Sequence, residues 1–242
     1  MSDESGPFAL VIGGASGIGA ALADAYRAQG MTAVTWDIEG RHDVTCDVRE
    51  PDAIDDAVGL TRMRWGIPTA VTVTAGVGHS GQLSDAEPDE FDHVMRVNAR
   101  GPWLCMRAWV GAMEEQHVAG SFIAVSSISA RLVDRTMGIY CASKAALSML
   151  VQVAAVEWGP LGIRVNAIAP GVTRTPMLGR GPALTVEGSP WLAGVAERTA
   201  LGRIGEPEDV AQSIIALHSM AWVTGQVLEC DGGLSLHSPI IP

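Results

Sequence analysis

Residues 8–19 carry the feature that most constrains the fold, a short apolar run that turns on glycines into a helical pattern. The run Phe8–Gly14 reads FALVIGG, and the next sixteen residues, ASGIGAALADAYRAQG, have the composition of a helix that ends at Gly30. An apolar run of this length suits a strand buried on both faces. Glycines at such a junction let a phosphate approach the free N–H groups of a helix N-terminus. The pattern predicts a pyrophosphate-binding turn, against the alternative of a glycine-rich loop without a ligand.

Short apolar runs alternate with helical patterns along the rest of the chain. Further strands are predicted at Thr32–Asp37, His42–Val48, Thr69–Gly76, Ser121–Ser129, within Gly162–Met177 and at Gly225–Gly233. Helices are predicted at Pro51–Arg64, Glu87–Gln116, Gly138–Trp158 and Pro207–Met220. The long second helix is expected to be broken or distorted near Asn98–Pro102, where a glycine and a proline follow each other. This alternation indicates an α/β fold with a doubly wound parallel sheet.

Composition narrows the classes of function and location. The net charge of −11 argues against a nucleic-acid-binding protein that works by neutralising phosphates. No apolar run approaches the ~18 residues of a membrane span, and the acidic N-terminus does not resemble a secretory signal. The four cysteines are scattered without a C-x-x-C pair, which favours reduced thiols in a cytoplasmic protein without a metal site. A chain of 242 residues is most simply one domain, residues 1–242.

An acidic residue follows the glycine turn at an informative distance. Asp37 ends the second predicted strand, 18 residues past Gly19. A carboxylate at about this distance accepts hydrogen bonds from the ribose hydroxyls of a dinucleotide and repels a 2′-phosphate. The next residues, Ile38 and Glu39, supply no cation, and Arg41 is the nearest. We therefore expect NAD(H) rather than NADP(H), against the alternative of a solvated aspartate at a strand end.

Tyr140 and Lys144 lie four residues apart in the predicted helix Gly138–Trp158, so they share one helical face. A free phenol is almost wholly protonated at neutral pH, and an ammonium nearby lowers its pKa. The pair is therefore expected to act as a general acid and base poised nearer neutral pH. The alternative is an ordinary surface tyrosine and lysine.

The turn Gly13–Gly19 and the run Tyr140–Lys144, YCASK, together resemble the short-chain dehydrogenase/reductase family, in its single-domain branch of roughly 250 residues. The resemblance covers about Phe8–Gly233. It implies a Rossmann-type parallel sheet of about seven strands flanked by helices. It also implies NAD(P)-dependent interconversion of a secondary alcohol and a ketone by hydride transfer.

The chain departs from the family's cofactor motifs at three positions. The family's T-G-x-x-x-G-I-G turn has Ile12 in place of the threonine, and its N-N-A-G stretch has Val73 and Thr74 in place of both asparagines. Its Asp-Val pair near the adenine matches Asp47 and Val48. The resemblance assigns cofactor contacts to Gly13, Ser16, Gly17, Ile18, Gly19, Asp37, Asp47, Val48, Ala75, Gly76, Tyr140, Lys144, Pro170, Gly171, Val172 and Thr175.

The resemblance also assigns a catalytic tetrad of Asn98, Ser127, Tyr140 and Lys144. It implies that Ser127, thirteen residues before Tyr140, binds the substrate oxygen; Ser126 is its rival for this role. Tyr140 would exchange the hydroxyl proton, and Lys144 would lower the pKa of Tyr140 and bind the nicotinamide ribose. Asn98 would hold a water in a proton relay to the lysine.

Residues 178–203 are expected to form a substrate lid. The apolar side chains Met177, Leu178, Leu184, Trp191 and Leu192 suggest a fairly apolar or cyclic substrate. Arg131 and His79 are alternative contacts for a carboxylate or an acyl-carrier thioester.

Two other functions remain open at this stage. One is a catalytically weak NAD(H)-binding redox sensor or scaffold, and the other is an epimerase or dehydratase, which usually needs a larger substrate domain. The resemblance further implies a homotetramer formed by helices Glu87–Gln116 and Gly138–Trp158. Trp103, Met106, Trp109 and Met149 are either interface or core residues, because periodicity does not separate the two. The apolar C-terminal tail is a further candidate contact with a neighbouring subunit.

Overall fold

The computed structural model describes residues 6–179 and 189–236, and within them seven strands form one parallel sheet. The strands are β1 (Phe8–Ile12), β2 (Thr32–Asp37), β3 (Val44–Thr45), β4 (Ala70–Val73), β5 (Ser121–Val125), β6 (Arg164–Pro170) and β7 (Val227–Cys230). Their order is β3-β2-β1-β4-β5-β6-β7, with every neighbouring pair parallel. The order reverses between β1 and β4, which is where ligands bind in sheets of this type. The predicted doubly wound sheet is confirmed.

Eight helices are described beside the sheet. They are α1 (Gly17–Ala28), α2 (Pro51–Trp65), α3 (Pro88–Met95), α4 (Gly101–Glu115), α5 (Gly138–Trp158), α6 (Pro176–Gly179), α7 (Pro190–Arg198) and α8 (Pro207–Ser219). Six of them carry a proline in the first turn, at the first or second position. Proline is tolerated there because those N–H groups have no partner within the helix. Glu87 and Glu206 each close a capping box in front of their prolines, which fixes where α3 and α8 begin.

Two apolar layers cover the two faces of the sheet. One face packs with α1 and α8 around Leu22, Val125 and Ile214, and the other packs with α2, α4 and α5 around Leu10, Trp36 and Phe122. Every residue of β1 and β5 is buried. Burial on both faces explains why these strands are continuous apolar runs rather than alternating ones.

The third strand is shorter than predicted. It spans only two residues, whereas the sequence suggested His42–Val48. The strand is at the edge of the sheet and pairs only with β2. After the backbone N–H of Cys46 bonds to the carbonyl of Asp37, the chain turns towards α2, and Glu50 donates to the carbonyl of Asp47. Asp47 and Val48 therefore lie in the turn after the strand.

Helices α3 and α4 are joined by a π-helical turn at Arg96–Arg100. The predicted distortion is confirmed, but the chain remains helical through it. The Gly101 N–H bonds five residues back, to the carbonyl of Arg96. Met106 and Trp109 of α4 are fully buried and therefore belong to the core, as one of the two sequence interpretations held.

Helix α5 crosses the centre of the sheet with Leu147, Val151 and Ala154 buried against it. The segment Gly138–Leu161 is long and apolar enough to pass a test for a membrane-spanning helix by length and composition. The expectation that no run approaches such a span is therefore wrong in those terms. A helix packed in the core of a folded domain passes the same test.

His218 of α8 joins two strands through a buried hydrogen-bond network. One ring nitrogen lies 2.9 Å from the hydroxyl of Thr72 in β4, and the other lies 2.9 Å from the hydroxyl of Ser121 in β5. Burial, together with the charge of Arg164, lowers the pKa of His218 to about 3. The folded protein therefore keeps this histidine neutral at pH values where a free histidine, with a pKa of about 6.5, takes up a proton.

Because His218 is buried and neutral, we expect the folded protein to become less stable in acid. Between pH 6.5 and about pH 3 only the unfolded chain protonates residue 218, so the free energy of unfolding should fall as the pH falls. Between pH 7.5 and pH 5, the free energy of unfolding should fall by about 2 kcal/mol less in His218→Gln than in the wild type. Urea unfolding at the two pH values measures this difference. The exposed His117 provides the control, His117→Asn, which should follow the wild type. Parallel pH profiles for His218→Gln and the wild type would contradict the assignment.

Candidate active site

The turn after β1 is a backbone cradle in which two glycines have no room for a side chain. A Cβ on Gly19 would lie 2.1 Å from the carbonyl oxygen of Gly13, and a Cβ on Gly13 would lie 2.5 Å from the backbone nitrogen of Ala75. Gly13 and Gly17 also have positive φ angles, 87° and 52°. Ser16 precedes α1 but makes no side-chain capping bond. The first N–H groups of α1 are thus left without this cap, as a pyrophosphate site requires.

Three further residues of the predicted cofactor site lie in this turn or beside it. The side chain of Ile18 packs against the core between α1 and α8, so only its backbone faces the turn. Ala75 and Gly76 follow β4 and lie next to the turn, because the backbone N–H of Ala75 donates to the carbonyl of Ile12. The structure therefore brings the glycine turn and the end of β4 together, as the sequence predicted.

Asp37 lies at the end of β2, beside the glycine turn. Its Oδ2 accepts a hydrogen bond of 2.9 Å from the backbone N–H of Ala15, and its Oδ1 accepts one of 2.8 Å from that of Ile38. The carboxylate is half-buried, so it keeps a solvent-facing side next to the turn. This is the position that the predicted ribose contact needs.

Asp47 has a partner that the sequence analysis did not include. Arg49 donates to both of its carboxylate oxygens, with Nε 3.0 Å from Oδ1 and Nη2 2.6 Å from Oδ2. This contact holds the pKa of Asp47 below its ordinary value. Val48 is buried against Gly101, whose Cβ would lie 2.9 Å from a methyl group of Val48. Asp47 is thus held by Arg49, which precedes α2, and Val48 is held by Gly101 at the start of α4.

The structure separates the two candidate serines at the end of β5. The side chain of Ser127 lies close enough to Tyr140 to act on its pKa, and its oxygen accepts a hydrogen bond from the backbone N–H of Ser129. Ser126 faces the other way: its hydroxyl lies 3.2 Å from the carbonyl of Lys144 and 2.7 Å from the hydroxyl of Ser148. Ser127 is therefore the serine beside the tyrosine, and Ser126 ties β5 to α5.

Lys144 is buried below Tyr140. Its Nζ donates a 2.8 Å hydrogen bond to the carbonyl of Val125 and lies 5.7 Å from the centroid of the tyrosine ring. Burial lowers the pKa of Lys144 to about 8. Burial also raises the pKa of Tyr140, and only the hydrogen bond with Ser127 acts in the opposite direction.

These directions correct one expectation. The sequence predicted that Lys144 would lower the pKa of Tyr140, and the structure shows that pKa raised. The reason is that the ammonium bonds to a carbonyl beneath the ring, while the phenol loses solvent. Desolvation disfavours both charged forms, the phenolate and the ammonium.

Asn98, in the π-helical turn, holds the loop that follows β4. Its Oδ1 accepts from the backbone N–H of Val77, and its Nδ2 donates to the carbonyl of Val77 and to the hydroxyl of Ser143. The Oδ1 of Asn98 and the Nζ of Lys144 each lie 3.4 Å from the Cβ position of Gly76. The asparagine and the lysine therefore converge at this glycine, and the amide group is occupied by protein partners.

The segment after β6 runs past both halves of the site. Pro170 ends β6, and Gly171 passes so close to Asp231 that its Cβ would lie 2.8 Å from that side chain. Thr175 reaches the glycine turn, where its Cβ lies 3.3 Å from the Cβ position of Gly17. Val172 points instead towards a small apolar cluster with α7. Of the four predicted residues, Thr175 is therefore the one that the structure brings into contact with the turn.

Met177 extends this segment over the loop after β4. Its side chain lies 3.9 Å from the Cβ position of Gly76 and 3.7 Å from that of Gly78. The sequence placed Met177 only in a general pocket wall; the two glycines, which leave room for it, were the available signal. Leu192 and Val195 of α7 pack beside Val172, while residues 180–188, including Leu184, lie outside the described part of the chain.

Two residues considered for carboxylate recognition have protein neighbours. Arg131 donates through Nε to Glu229 at 2.9 Å, so its charge is already paired. His79 has a side chain that is only 10% exposed, and its Nε2 lies 3.9 Å from the carboxylate of Glu90. The structure therefore gives the carboxylate alternative little support at Arg131.

The geometry on either side of Gly76 fits a dinucleotide. On one side lies a glycine cradle that side chains would fill, with a carboxylate next to it; on the other lie Ser127, Tyr140 and Lys144. A phenol beside a serine and over a buried lysine can exchange a proton with a substrate oxygen.

Several known proteins are similar to this chain in sequence. A family model described as enoyl-(acyl carrier protein) reductase matches residues 13–235. The chain is 32% identical to a 2,5-dichloro-2,5-cyclohexadiene-1,4-diol dehydrogenase of Sphingobium indicum, over 97% of this chain and 99% of that one. It is 30% identical to 2-(S)-hydroxypropyl-CoM dehydrogenase 3 of Xanthobacter autotrophicus, over 93% and 95%.

A solved structure agrees with the sequence relatives. The ligand-free aldohexose dehydrogenase of Thermoplasma acidophilum superimposes with a TM-score of 0.90 at 26% identity, covering 98% of this chain and 96% of that one. The relatives are dehydrogenases and reductases of alcohol and ketone groups. The chain belongs to the short-chain dehydrogenase/reductase family, whose members are oxidoreductases of about 250 residues that use NAD or NADP.

Proposed function

We propose that the protein is an NAD-dependent dehydrogenase that interconverts a secondary alcohol and a ketone on an apolar or cyclic substrate. The observation that carries this proposal is the placement of Tyr140 beside Ser127 and over the buried Lys144, whose Nζ lies 5.7 Å from the centroid of the tyrosine ring. The glycine cradle and Asp37 lie on the other side of Gly76 from these catalytic residues. A cofactor would be held there.

Each of the three catalytic side chains has its own role in the proton transfer. Ser127 donates to the substrate oxygen and holds it beside Tyr140. In the direction of reduction, Tyr140 is a protonated phenol, because burial raises its pKa, and it donates its proton to the substrate oxygen. Oxidation is the reverse step, in which Tyr140 as the phenolate accepts the hydroxyl proton of the substrate. Lys144, with its pKa lowered to about 8, exchanges a proton close to neutral pH. The nicotinamide, when bound, supplies the hydride acceptor for oxidation and the hydride donor for reduction.

Asn98 has a positioning role in this scheme. It holds both polar backbone groups of Val77 and the hydroxyl of Ser143, which in turn donates to the carbonyl of Tyr140. Pro102 has no N–H to donate to the carbonyl of Asn98, which favours a water at that carbonyl. Such a water would connect Lys144 to solvent.

The substrate class rests on the residues around the catalytic serine and tyrosine. Met177 covers the loop after β4, and Trp191 is partly exposed on α7. One relative acts on a cyclic compound according to its name, the 2,5-dichloro-2,5-cyclohexadiene-1,4-diol dehydrogenase. An apolar or cyclic alcohol fits this wall better than a carboxylate does, because Arg131 is paired with Glu229.

Asp37 makes the cofactor preference testable. We expect NADH formation at 340 nm from NAD+ and cyclic secondary alcohols or diols, with kcat/KM for NAD+ at least about tenfold above that for NADP+. In Asp37→Asn this ratio should fall about tenfold, since the amide keeps the size of the side chain and removes its repulsion of a 2′-phosphate. The exposed Asp24→Asn is the control and should leave the ratio unchanged.

Other outcomes of this screen separate the proposals. Turnover with NADP+ alone would overturn the argument from Asp37 but keep the catalytic assignment. NADH binding without turnover on any alcohol or ketone would favour the alternative, a catalytically weak NAD(H)-binding sensor or scaffold. The departures at Ile12 and Thr74 are the features that favour this alternative.

An apolar groove supports the proposed homotetramer. It has a volume of about 650 Å³ and lies between the π-helical turn and α5. Trp103 and Met149 line it and are 36% and 59% exposed, which fits the interface interpretation for these two residues. Asp92 and Arg96 also line the groove, so a second copy related by a two-fold axis could pair opposite charges.

The remaining parts of the proposal concern organisation. We place the cofactor site and the catalytic site in one domain, residues 1–242, with residues 178–203 as a substrate lid. The packing of Leu192 and Val195 against Val172 supports a lid attached beside the site. A cytoplasmic location remains a proposal from the four free cysteines.

A further inference from the structure

The hydroxyl of Thr74 lies at the centre of the glycine turn. It is 3.0 Å from the carbonyl oxygen of Ile12 and 2.8 Å from that of Gly13, and it donates to both. The backbone N–H groups of Thr74 and Ala75 donate to the same Ile12 carbonyl, at 2.7 Å and 3.1 Å. The first residue after β4 therefore holds the last residue of β1 and the first residue of the turn.

The same oxygen also touches the two glycines that shape the cradle. A Cβ on Gly13 would lie 2.7 Å from it, and a Cβ on Gly19 would lie 2.6 Å from it. The carbonyl of Gly13, which Thr74 binds, is also the atom closest to the Cβ position of Gly19. One hydroxyl thus fixes the peptide against which the start of α1 packs.

The residue that precedes the turn does not supply this hydroxyl. Residue 12, at the end of β1, is an isoleucine whose side chain is buried in the core. Thr74 provides the polar group from the neighbouring strand instead. We propose that Thr74 is the positioning residue of the pyrophosphate-binding turn, acting through the carbonyls of Ile12 and Gly13. This inference rests on the proposed dinucleotide function.

The physical consequence concerns the direction of the backbone N–H groups. Without the hydroxyl, the carbonyl of Gly13 loses its side-chain donor and can rotate, and the peptides that lead into α1 rotate with it. A pyrophosphate is held by several such N–H groups at once, so their alignment sets the affinity. Loss of one buried hydrogen bond of this kind should weaken dinucleotide binding about tenfold.

The test uses three variants and two readouts besides activity. Thr74→Val keeps the shape of the side chain and removes the hydroxyl; Thr74→Ser keeps the hydroxyl. The matched control is Thr72→Val in the same strand, which removes a buried hydroxyl that bonds His218 rather than the turn. Dissociation constants for NADH and for ADP-ribose would be measured by calorimetry, and thermal unfolding would be followed for each variant.

We expect Thr74→Val to weaken binding of both ligands about tenfold and Thr74→Ser to stay within threefold of the wild type. Thr72→Val should lower the melting temperature with unchanged affinity. Should Thr74→Val fail to fold, Thr74→Ala removes the same hydroxyl with less bulk. Equal affinities for Thr74→Val and a binding-competent wild type would overturn this inference alone. A wild type that binds neither NADH, NADPH nor ADP-ribose would overturn the proposed function and, with it, this inference.

Discussion

Replacing Tyr140 by phenylalanine is expected to lower kcat/KM at least about 1,000-fold while NADH binding remains within a few-fold of the wild type. The ring keeps its place above Lys144, and only the hydroxyl beside Ser127 is lost. General acid–base catalysis contributes about 10²- to 10⁴-fold, and here the same group also orients the substrate oxygen. Initial rates at 340 nm, with saturating cofactor and the substrate well below its KM, give kcat/KM for both proteins.

The two serines provide a matched pair for this prediction. Ser127→Ala should lower kcat about 100-fold, because its hydroxyl faces Tyr140. Ser126→Ala should lower thermal stability and leave kcat within about threefold, because its hydroxyl faces α5. Equal loss of kcat in the two serine variants, or a Tyr140→Phe enzyme with a tenth of wild-type activity, would contradict the assigned roles.

Gly19→Ala is expected to abolish measurable NADH binding, with at least about a 100-fold rise in the dissociation constant. Its Cβ would lie 2.1 Å from the carbonyl oxygen of Gly13 and 2.6 Å from the hydroxyl of Thr74. Both atoms belong to the cradle, and neither is the far end of a flexible side chain, so the turn must open. The same overlap should destabilise the fold by several kcal/mol, on the order of an overpacked core site.

A second glycine tests whether the effect is local. Gly111 lies inside α4, and nothing lies within 4 Å of its Cβ position. Gly111→Ala should leave NADH affinity unchanged and raise stability by about 0.5–1 kcal/mol, as alanine does at an open helical position. Calorimetric titration and denaturant unfolding of both variants give the comparison. A Gly19→Ala protein that binds NADH like the wild type would disprove the close packing of this turn.

Sequence patterns were sufficient for the parts of this fold where one physical effect dominates. β1 and β5 are buried on both faces, so their apolar runs are unambiguous. The glycine turn was predictable because backbone geometry at Gly13 and Gly19 leaves no alternative residue. The spacing of Tyr140 and Lys144 placed them on one helical face, and the structure brings both to the same site.

Other features depend on contacts between distant segments. The pKa of Tyr140 follows from how deeply the phenol is buried and from the direction of Lys144, neither of which spacing reveals. The periodicity of α4 could not separate Met106, which is core, from Trp103, which lines a groove. Arg49 looked like any charged residue before a helix, yet it holds Asp47.

The π-helical turn at Arg96–Arg100 has a consequence for aligning this chain with its relatives. Such a turn contains one residue more than an α-helical turn of the same rise, and each residue rotates an α-helix by about 100°. The apolar registers of α3 and α4 are therefore offset by one position. A relative with a one-residue gap here would have an uninterrupted helix, and its aligned asparagine would point away from Val77. The position of a gap in an alignment of this segment therefore decides whether an asparagine of a relative corresponds to Asn98.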